Sequence, residues 1–308
     1  MNITIIGSGS FGCSIAYSLS KNKNNNIKIW SYKKEECDLI NNEHRCMYID
    51  NLLLDSSIKC TLDYEEAIEN SNIVILVTPS SVFKKTCIDI KEYITNQEIV
   101  ILTKGICDGV LLSDIVENTL NKKPTVISGP SHAEQIAKNI PTFVSISGNK
   151  ELIKVFETDC FKLEYNDDII GIQVGAALKN IISIAIGICE GLGYESNTIS
   201  YIITKGLDEI KNIAVTLGGK ESTIYDLSGL GDLLTTSLSM DSRNKRAGIL
   251  IAKGKTLDEV KEEIGMTIEG IDALQSAKNI IDKYNLDCKI IDNMYNIIYN
   301  NSNIESIL

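Results

Sequence analysis

Residues 2–12, NITIIGSGSFG, run a β-branched stretch straight into three glycines spaced Gly7, Gly9 and Gly12. A strand that ends in this spacing and is followed by a helical pattern, here residues 11–20, opens a βαβ unit whose turn can hold a pyrophosphate. Gly7 allows the tight turn, Gly9 lets the backbone come close to a ligand, and Gly12 lets the helix pack on the strand. The N-terminus therefore reads as a dinucleotide turn.

The runs that follow support the same architecture. NITII (2–6), IKIW (27–30), NIVILVT (72–78), EIVIL (98–102), TVIS (125–128) and TFVSIS (142–147) alternate with amphipathic stretches, which predicts a parallel sheet covered by helices on both faces. Ligands bind such sheets beyond the carboxyl ends of the strands. GSGSFG, SYKK, TPSSVF, TKG and GPSHA should accordingly share one crevice. After about Asp168 the remainder reads as helices over 168–190, about 196–217, 222–238 with a break, 243–253, 256–264, 268–284 and about 291–300. The fold class is α/β: an N-terminal Rossmann-type doubly wound sheet (1–168), followed by an all-α C-terminal domain (169–308). With 44% hydrophobic residues in 308, the chain can bury a large core.

Several function classes are disfavoured. A net charge of −11 argues against general nucleic-acid binding, which depends on neutralising phosphates. The longest apolar run, 181–189, is too short for a membrane span, for which about 20 residues are needed. No leader pattern precedes the first strand, and the nine cysteines contain no CxxC pair and share no metal-ligand spacing with His44 and His132. The expectation is a cytoplasmic protein with no metal.

Chemistry is expected where charge meets apolar sequence. VGAALKNIISIAIGICE (174–190) holds Lys179 in a stretch that belongs in an interior, where an ammonium needs a partner. SGLGDLLTT (228–236) offers Asp232, an acid in similar company. TKG puts Lys104 at a strand's carboxyl end, and SGPSHA (128–133) supplies a turn with exposed backbone donors beside His132. SRN (242–244) reads as a capped helix start with a guanidinium added, an anion site. At the end of the second strand Trp30, Ser31 and Tyr32 offer no carboxylate for a ribose hydroxyl, while Lys33 and Lys34 could neutralise a 2′-phosphate. That predicts use of both NADP and NAD with a modest preference for NADPH; a solvated lysine pair is the plainer reading.

In combination, GSGSFG, TKG, SGPSHA, GAALKN, GLGDL, SRN and TIEG (267–270) make the chain, over about residues 1 to 300, resemble the bacterial NAD(P)-dependent glycerol-3-phosphate dehydrogenases. The resemblance implies Lys179 as the catalytic lysine, Asp232 holding it, and Lys104 touching both substrate and cofactor. It implies Gly129, Ser131, Asn180, Asp232, Thr236, Ser242, Arg243 and Asn244, with Lys104, as ligands of a small phosphorylated substrate, and Ser10, Phe11, Ala133, Arg243 and Glu269 along the dinucleotide with the glycine turn. Tyr32 stands where the family often carries His or Arg, so Tyr32 and Lys33 are the expected neighbours of the adenosine ribose. The implied reaction interconverts dihydroxyacetone phosphate and sn-glycerol 3-phosphate, the latter for phospholipid synthesis. A homodimer is compatible with it. Two rivals are a β-hydroxyacid dehydrogenase, whose members also carry a G-x-x-x-K helix, and a non-catalytic dinucleotide sensor, which would lack the lysine and acid together.

Overall fold

The computed structural model describes residues 1–239 and 242–308. The N-terminal half contains β1 (Asn2–Ile6), α1 (Ser10–Ser20), β2 (Asn26–Trp30), α2 (Lys34–Glu43), β3 (Lys59–Thr61), α3 (Tyr64–Ile68), β4 (Ile73–Leu76), α4 (Ser80–Ile90) and β5 (Glu98–Ile101). It continues through a small hairpin, β6 (Ile106–Cys107) and β7 (Val110–Leu111), then α5 (Leu112–Leu120), β8 (Thr125–Ser128), α6 (Ala133–Ala137), β9 (Thr142–Ser147), α7 (Ile153–Phe156) and β10 (Phe161–Tyr165). The rest is helical: α8 (Ile169–Gly191), α9 (Ser196–Thr216), α10 (Glu221–Ile224), α11 (Asp232–Leu238), α12 (Arg243–Ala252), α13 (Leu257–Ile264), α14 (Glu269–Tyr284) and α15 (Lys289–Tyr299).

Eight strands form one sheet in the order β10-β9-β8-β5-β4-β1-β2-β3. Because side chains alternate across a strand, Ile73 and Ile75 of β4 face one core with Ile3, Ile5, Ile27 and Ile29, while Val74 and Leu76 face the other with Phe83, Ile99 and Ile101. Burial on both faces is what makes these strands continuous apolar runs. The expected all-parallel sheet needs one correction: β9 pairs antiparallel with β8, and β10 runs parallel to β9. The link from β8 to β9 stays at the carboxyl end of β8, with α6 packed on α1, so the SGPSHA segment is held beside the glycine turn.

Reversal of β9 and β10 also sets the start of the helical half. β10 finishes at the sheet end opposite the glycine turn, and Asp168 caps α8 by accepting from Gly171 N at 2.8 Å. About eleven residues of helix rise, roughly 16 Å, then carry α8 back to the crevice at Lys179. α8 is buried from Gly171 to Cys189 and forms the centre of the helical core, with α9, α11, α12 and α14 around it. It is the one helix among the described residues long and apolar enough to cross a membrane, and 89% of its most apolar window is buried inside the protein, as in a core helix.

Candidate active site

The carboxyl ends of β1, β2, β4, β5 and β8 open on a crevice of about 1650 Å³ whose far wall is built from α8, α12 and the segment 265–269. Gly7, Gly9, Ser10, Phe11 and Gly12 line it, as do Tyr32 and Lys33, Lys104, Ser131, His132 and Ala133, and Lys179, Asn180, Thr236, Ser242, Arg243, Asn244 and Glu269. The fold thus brings residues from 7 to 269 to one cavity. Gly129 and Asp232 stand behind it, where their oxygens hold lysines.

At the turn, Gly7 has φ +126°, a conformation L side chains rarely adopt, and a Cβ on Gly12 would run into the Gly7 carbonyl. A Cβ on Gly9 would meet nothing within 4 Å, so at that point the backbone faces open space. Thr78 Oγ1, after β4, is buried in the same wall with no partner among the described residues. A bare glycine edge and an unpaired hydroxyl fit a dinucleotide.

Lys179 is 4% exposed and Asp232 1%. Nζ of Lys179 donates to Asp232 Oδ1 at 2.6 Å and to Thr236 Oγ1 at 2.5 Å. The other oxygen of Asp232 accepts from Lys104 Nζ at 2.8 Å, and Lys104 also donates to Gly129 O at 2.9 Å and lies 3.3 Å from Ser131 Oγ. One carboxylate therefore grips two lysines, and sequence reasoning had assigned it only one. With both oxygens engaged by ammoniums, Asp232 positions the two lysines. Burial pulls the Lys179 pKa down to about 8, opposed by the Asp232 carboxylate and reinforced by the Lys104 charge. For Asp232, burial alone pushes the carboxyl upward, but the two lysines outweigh it and hold the group below its ordinary range.

Glycines on α8 and its neighbours bring these groups together. Gly175 lies one helical turn before Lys179 on the same face, and a Cβ there would come within 2.9 Å of Ser228 O and 3.0 Å of Gly229 Cα. Residues Leu227–Gly231 form a π-turn just before α11, the break expected within 222–238, and it delivers Asp232 onto Lys179. Gly270 likewise lets α14 approach, since its Cβ would lie 2.6 Å from Asn180 O. Asn180 Nδ2 then donates to Glu269 Oε2 at 3.0 Å, Asn244 Nδ2 to Asn180 Oδ1 at 2.9 Å, and Gly270 N to Asn244 Oδ1 at 3.0 Å. The expected ligands Asn180 and Asn244 are thus partly spent on each other. Ser242 caps α12 by accepting from Lys245 N at 3.3 Å, and Arg243, which lines the crevice, donates from Nη1 to Thr267 O at 2.9 Å. His132 Nε2 lies 3.3 Å from Thr235 O.

The geometry is matched by relatives. The N-terminal model of NAD-dependent glycerol-3-phosphate dehydrogenase matches residues 2–153, and the C-terminal model matches 168–308. The chain belongs to the glycerol-3-phosphate dehydrogenase family. A glycerol-3-phosphate dehydrogenase [NAD(P)+] from Fusobacterium nucleatum is 40% identical over 98% of this chain and 94% of its own, and one from Clostridium tetani is 38% identical over 96% and 88%. The crystal structure of the Coxiella burnetii glycerol-3-phosphate dehydrogenase superposes with a TM-score of 0.96 at 31% identity, covering 99% of this chain and 97% of that one.

In this member of the glycerol-3-phosphate dehydrogenases, both lysines of SYKK already have partners. Tyr32 is 71% exposed at the crevice mouth. Lys33 Nζ donates to Tyr48 Oη at 3.1 Å and lies 3.6 Å from Glu36 Oε1, while Lys34 is exposed and paired with Asp38 at 2.5 Å. Glu36, in the first turn of α2, is buried in the wall and was missed. Its signal was an acid five positions beyond Ser31, past the strand end where such acids usually stand.

Proposed function

We propose that this chain catalyses reversible hydride transfer between NAD(P)H and C2 of dihydroxyacetone phosphate, giving sn-glycerol 3-phosphate for phospholipid synthesis in the cytoplasm. The observation that carries the reading is Lys179, a buried ammonium fixed on a buried carboxylate, opening on the crevice that the glycine turn lines. Gly7, Gly9, Ser10, Phe11, Gly12, Thr78, Ala133 and Glu269 would hold the dinucleotide, which would supply or accept the hydride.

Reducing a ketone leaves negative charge on its oxygen, so a proton must arrive with the hydride. Lys179 Nζ gives that proton to the oxygen on C2 and takes it back in the oxidative direction. Asp232 keeps the ammonium aimed, Thr236 fixes its second hydrogen, and Lys104 adds positive charge near the developing alkoxide. The phosphate goes to α12, where first-turn N–H groups at Arg243 and Asn244 lack helical partners and the guanidinium adds charge-assisted bonds. Ser131, Ser242 and Asn180 complete the polar wall around it.

Both NAD and NADP should serve. The modest NADPH preference expected from Lys33 and Lys34 is proposed in reduced form, because each lysine is already paired with an acid. Residues 1–168 would hold the dinucleotide and 169–308 the substrate; each chain brings its own complete crevice, so a homodimer would carry two sites. The test follows NADH and NADPH oxidation separately with dihydroxyacetone phosphate, beside a panel of 3-hydroxy acids with NAD(P). Turnover only on the hydroxy acids, or binding without turnover, would sink the reading.

A further inference from the structure

Glu36 is a buried acid with an unusual set of partners. Its Oε2 accepts from Ser31 Oγ at 2.6 Å and from Ser8 Oγ, and its Oε1 accepts from Tyr48 Oη. Ser31 follows β2, and Ser8 lies inside the glycine turn; both line the crevice beside Glu36. We propose that Glu36 is the residue that holds the NADPH preference down, by favouring a free adenosine 2′-hydroxyl over a 2′-phosphate.

Two physical effects act in the same direction. The carboxylate brings a negative charge to the wall where a doubly wound sheet receives the adenosine ribose, and like charge opposes a phosphate there. It also fixes proton direction. An ionised carboxyl only accepts hydrogen bonds, and a serine hydroxyl has a single proton, so Ser8 and Ser31 both spend theirs on Glu36; Ser31 is fully buried and its Oγ already accepts from Lys33 N at 3.1 Å, so the lone pairs left for the crevice are those of Ser8. A 2′-hydroxyl can donate to those lone pairs, whereas a phosphate oxygen cannot. Lys33, 3.6 Å from Glu36 Oε1, offsets part of the charge and leaves the hydroxyl polarity untouched. The acid thus works from the first turn of a helix, anchored at the strand end by Ser31 and reaching the glycine turn through Ser8.

The inference rests on the crevice being the dinucleotide site, and the test separates the two. Dissociation constants of NADH and NADPH are measured on the whole enzyme, without substrate, from nicotinamide fluorescence, and kcat/KM is measured for both. Glu36→Gln keeps size and an acceptor oxygen, removes the charge, and adds an N–H that lets one serine proton turn outward. The ratio of NADPH to NADH affinity should rise by about tenfold, the scale of one removed and partly screened like charge. A role in folding the turn alone would weaken both dinucleotides equally. An unchanged ratio overturns the proposal even if both affinities fall; a wild type that binds neither dinucleotide overturns the site reading and the proposal with it. Should the glutamine variant not fold, Glu36→Ser, equally uncharged in the same polar pocket, must raise the ratio too.

Discussion

Lys179 and Asp232, 53 positions apart in the chain, meet at 2.6 Å where almost no water reaches. Removing one partner of such a pair leaves the other charged and buried, commonly a loss of about 3–5 kcal/mol. The pair is therefore both the proposed proton donor with its anchor and a stability risk, and variants must be read with that in view.

Lys179→Ala should remove turnover while dinucleotide binding persists, because the proton donor and the glycine turn come from different halves of the chain. Loss of the acid alone predicts a fall of about 10²–10⁴ in kcat. Steady-state rates beside a fluorescence titration of NADH check it, and a variant retaining more than roughly a tenth of the rate would free Lys179 from this role.

With its pKa drawn down to about 8, Lys179 loses its proton within an accessible range. Ketone reduction needs the ammonium, so its kcat should fall as pH rises through about 8, while oxidation of glycerol 3-phosphate should gain over the same interval. The Asp232 carboxylate raises the lysine's pKa, so Asp232→Asn should move the alkaline limb of reduction to lower pH. An unmoved limb would detach the profile from this pair.

Arg243→Ala should raise KM for dihydroxyacetone phosphate far more than for unphosphorylated dihydroxyacetone. A lost charge-assisted bond costs about 1.5–3 kcal/mol, roughly 10- to 150-fold. Equal losses on the two substrates would assign the phosphate to other groups.

Away from the crevice, Glu209 of α9 accepts from Ile290 N at 2.8 Å and Ile291 N at 3.0 Å, capping α15 from a distance. Burial pushes its pKa up to about 7, against the two N–H bonds that favour the charged form. A carboxyl raised in the folded state binds its proton more tightly there than in the unfolded chain. Its contribution is full below the unfolded value of about 4.3 and is lost as pH rises through 7. Denaturant melts across that window should show stability declining with pH, and Glu209→Gln should flatten the decline; an equal slope in both proteins would clear Glu209 of it.

Much of this was legible in the chain. TVIS and TFVSIS are strands at the expected bounds, and the helix boundaries after residue 168 lie within a few residues of the expected ones, because long apolar periodicity survives tertiary context. β3 and β10 escaped notice since both are edge strands: KCT is three residues long, and FKLEY carries charges on its solvent side. The reversal of β9 is set by where a connection lies in space, which periodicity does not encode. At the site, motif spacing located Lys179, Lys104 and Asp232 but could not show two lysines sharing one carboxylate. Glu36 carries little local signal, because Ser8, Ser31 and Tyr48 converge on it only in the folded chain.

The glycines along α8 carry a final consequence. A Cβ on Gly187 would strike the Lys245 carbonyl and come within 3.0 Å of Gly248 Cα, and one on Gly248 would strike the Ile184 carbonyl, so α8 and α12 touch backbone to backbone. Lys179 is thus mounted on the most enclosed helix of the protein, not on a loop that can open by itself. Amide hydrogens in the middle of α8 should exchange with solvent only when the whole helical half opens, and the approach to heat inactivation should be silent. Activity and native structure would then vanish at the same temperature; Gly248→Ala, which forces the helices apart at a cost of about 1–3 kcal/mol, should lower both together.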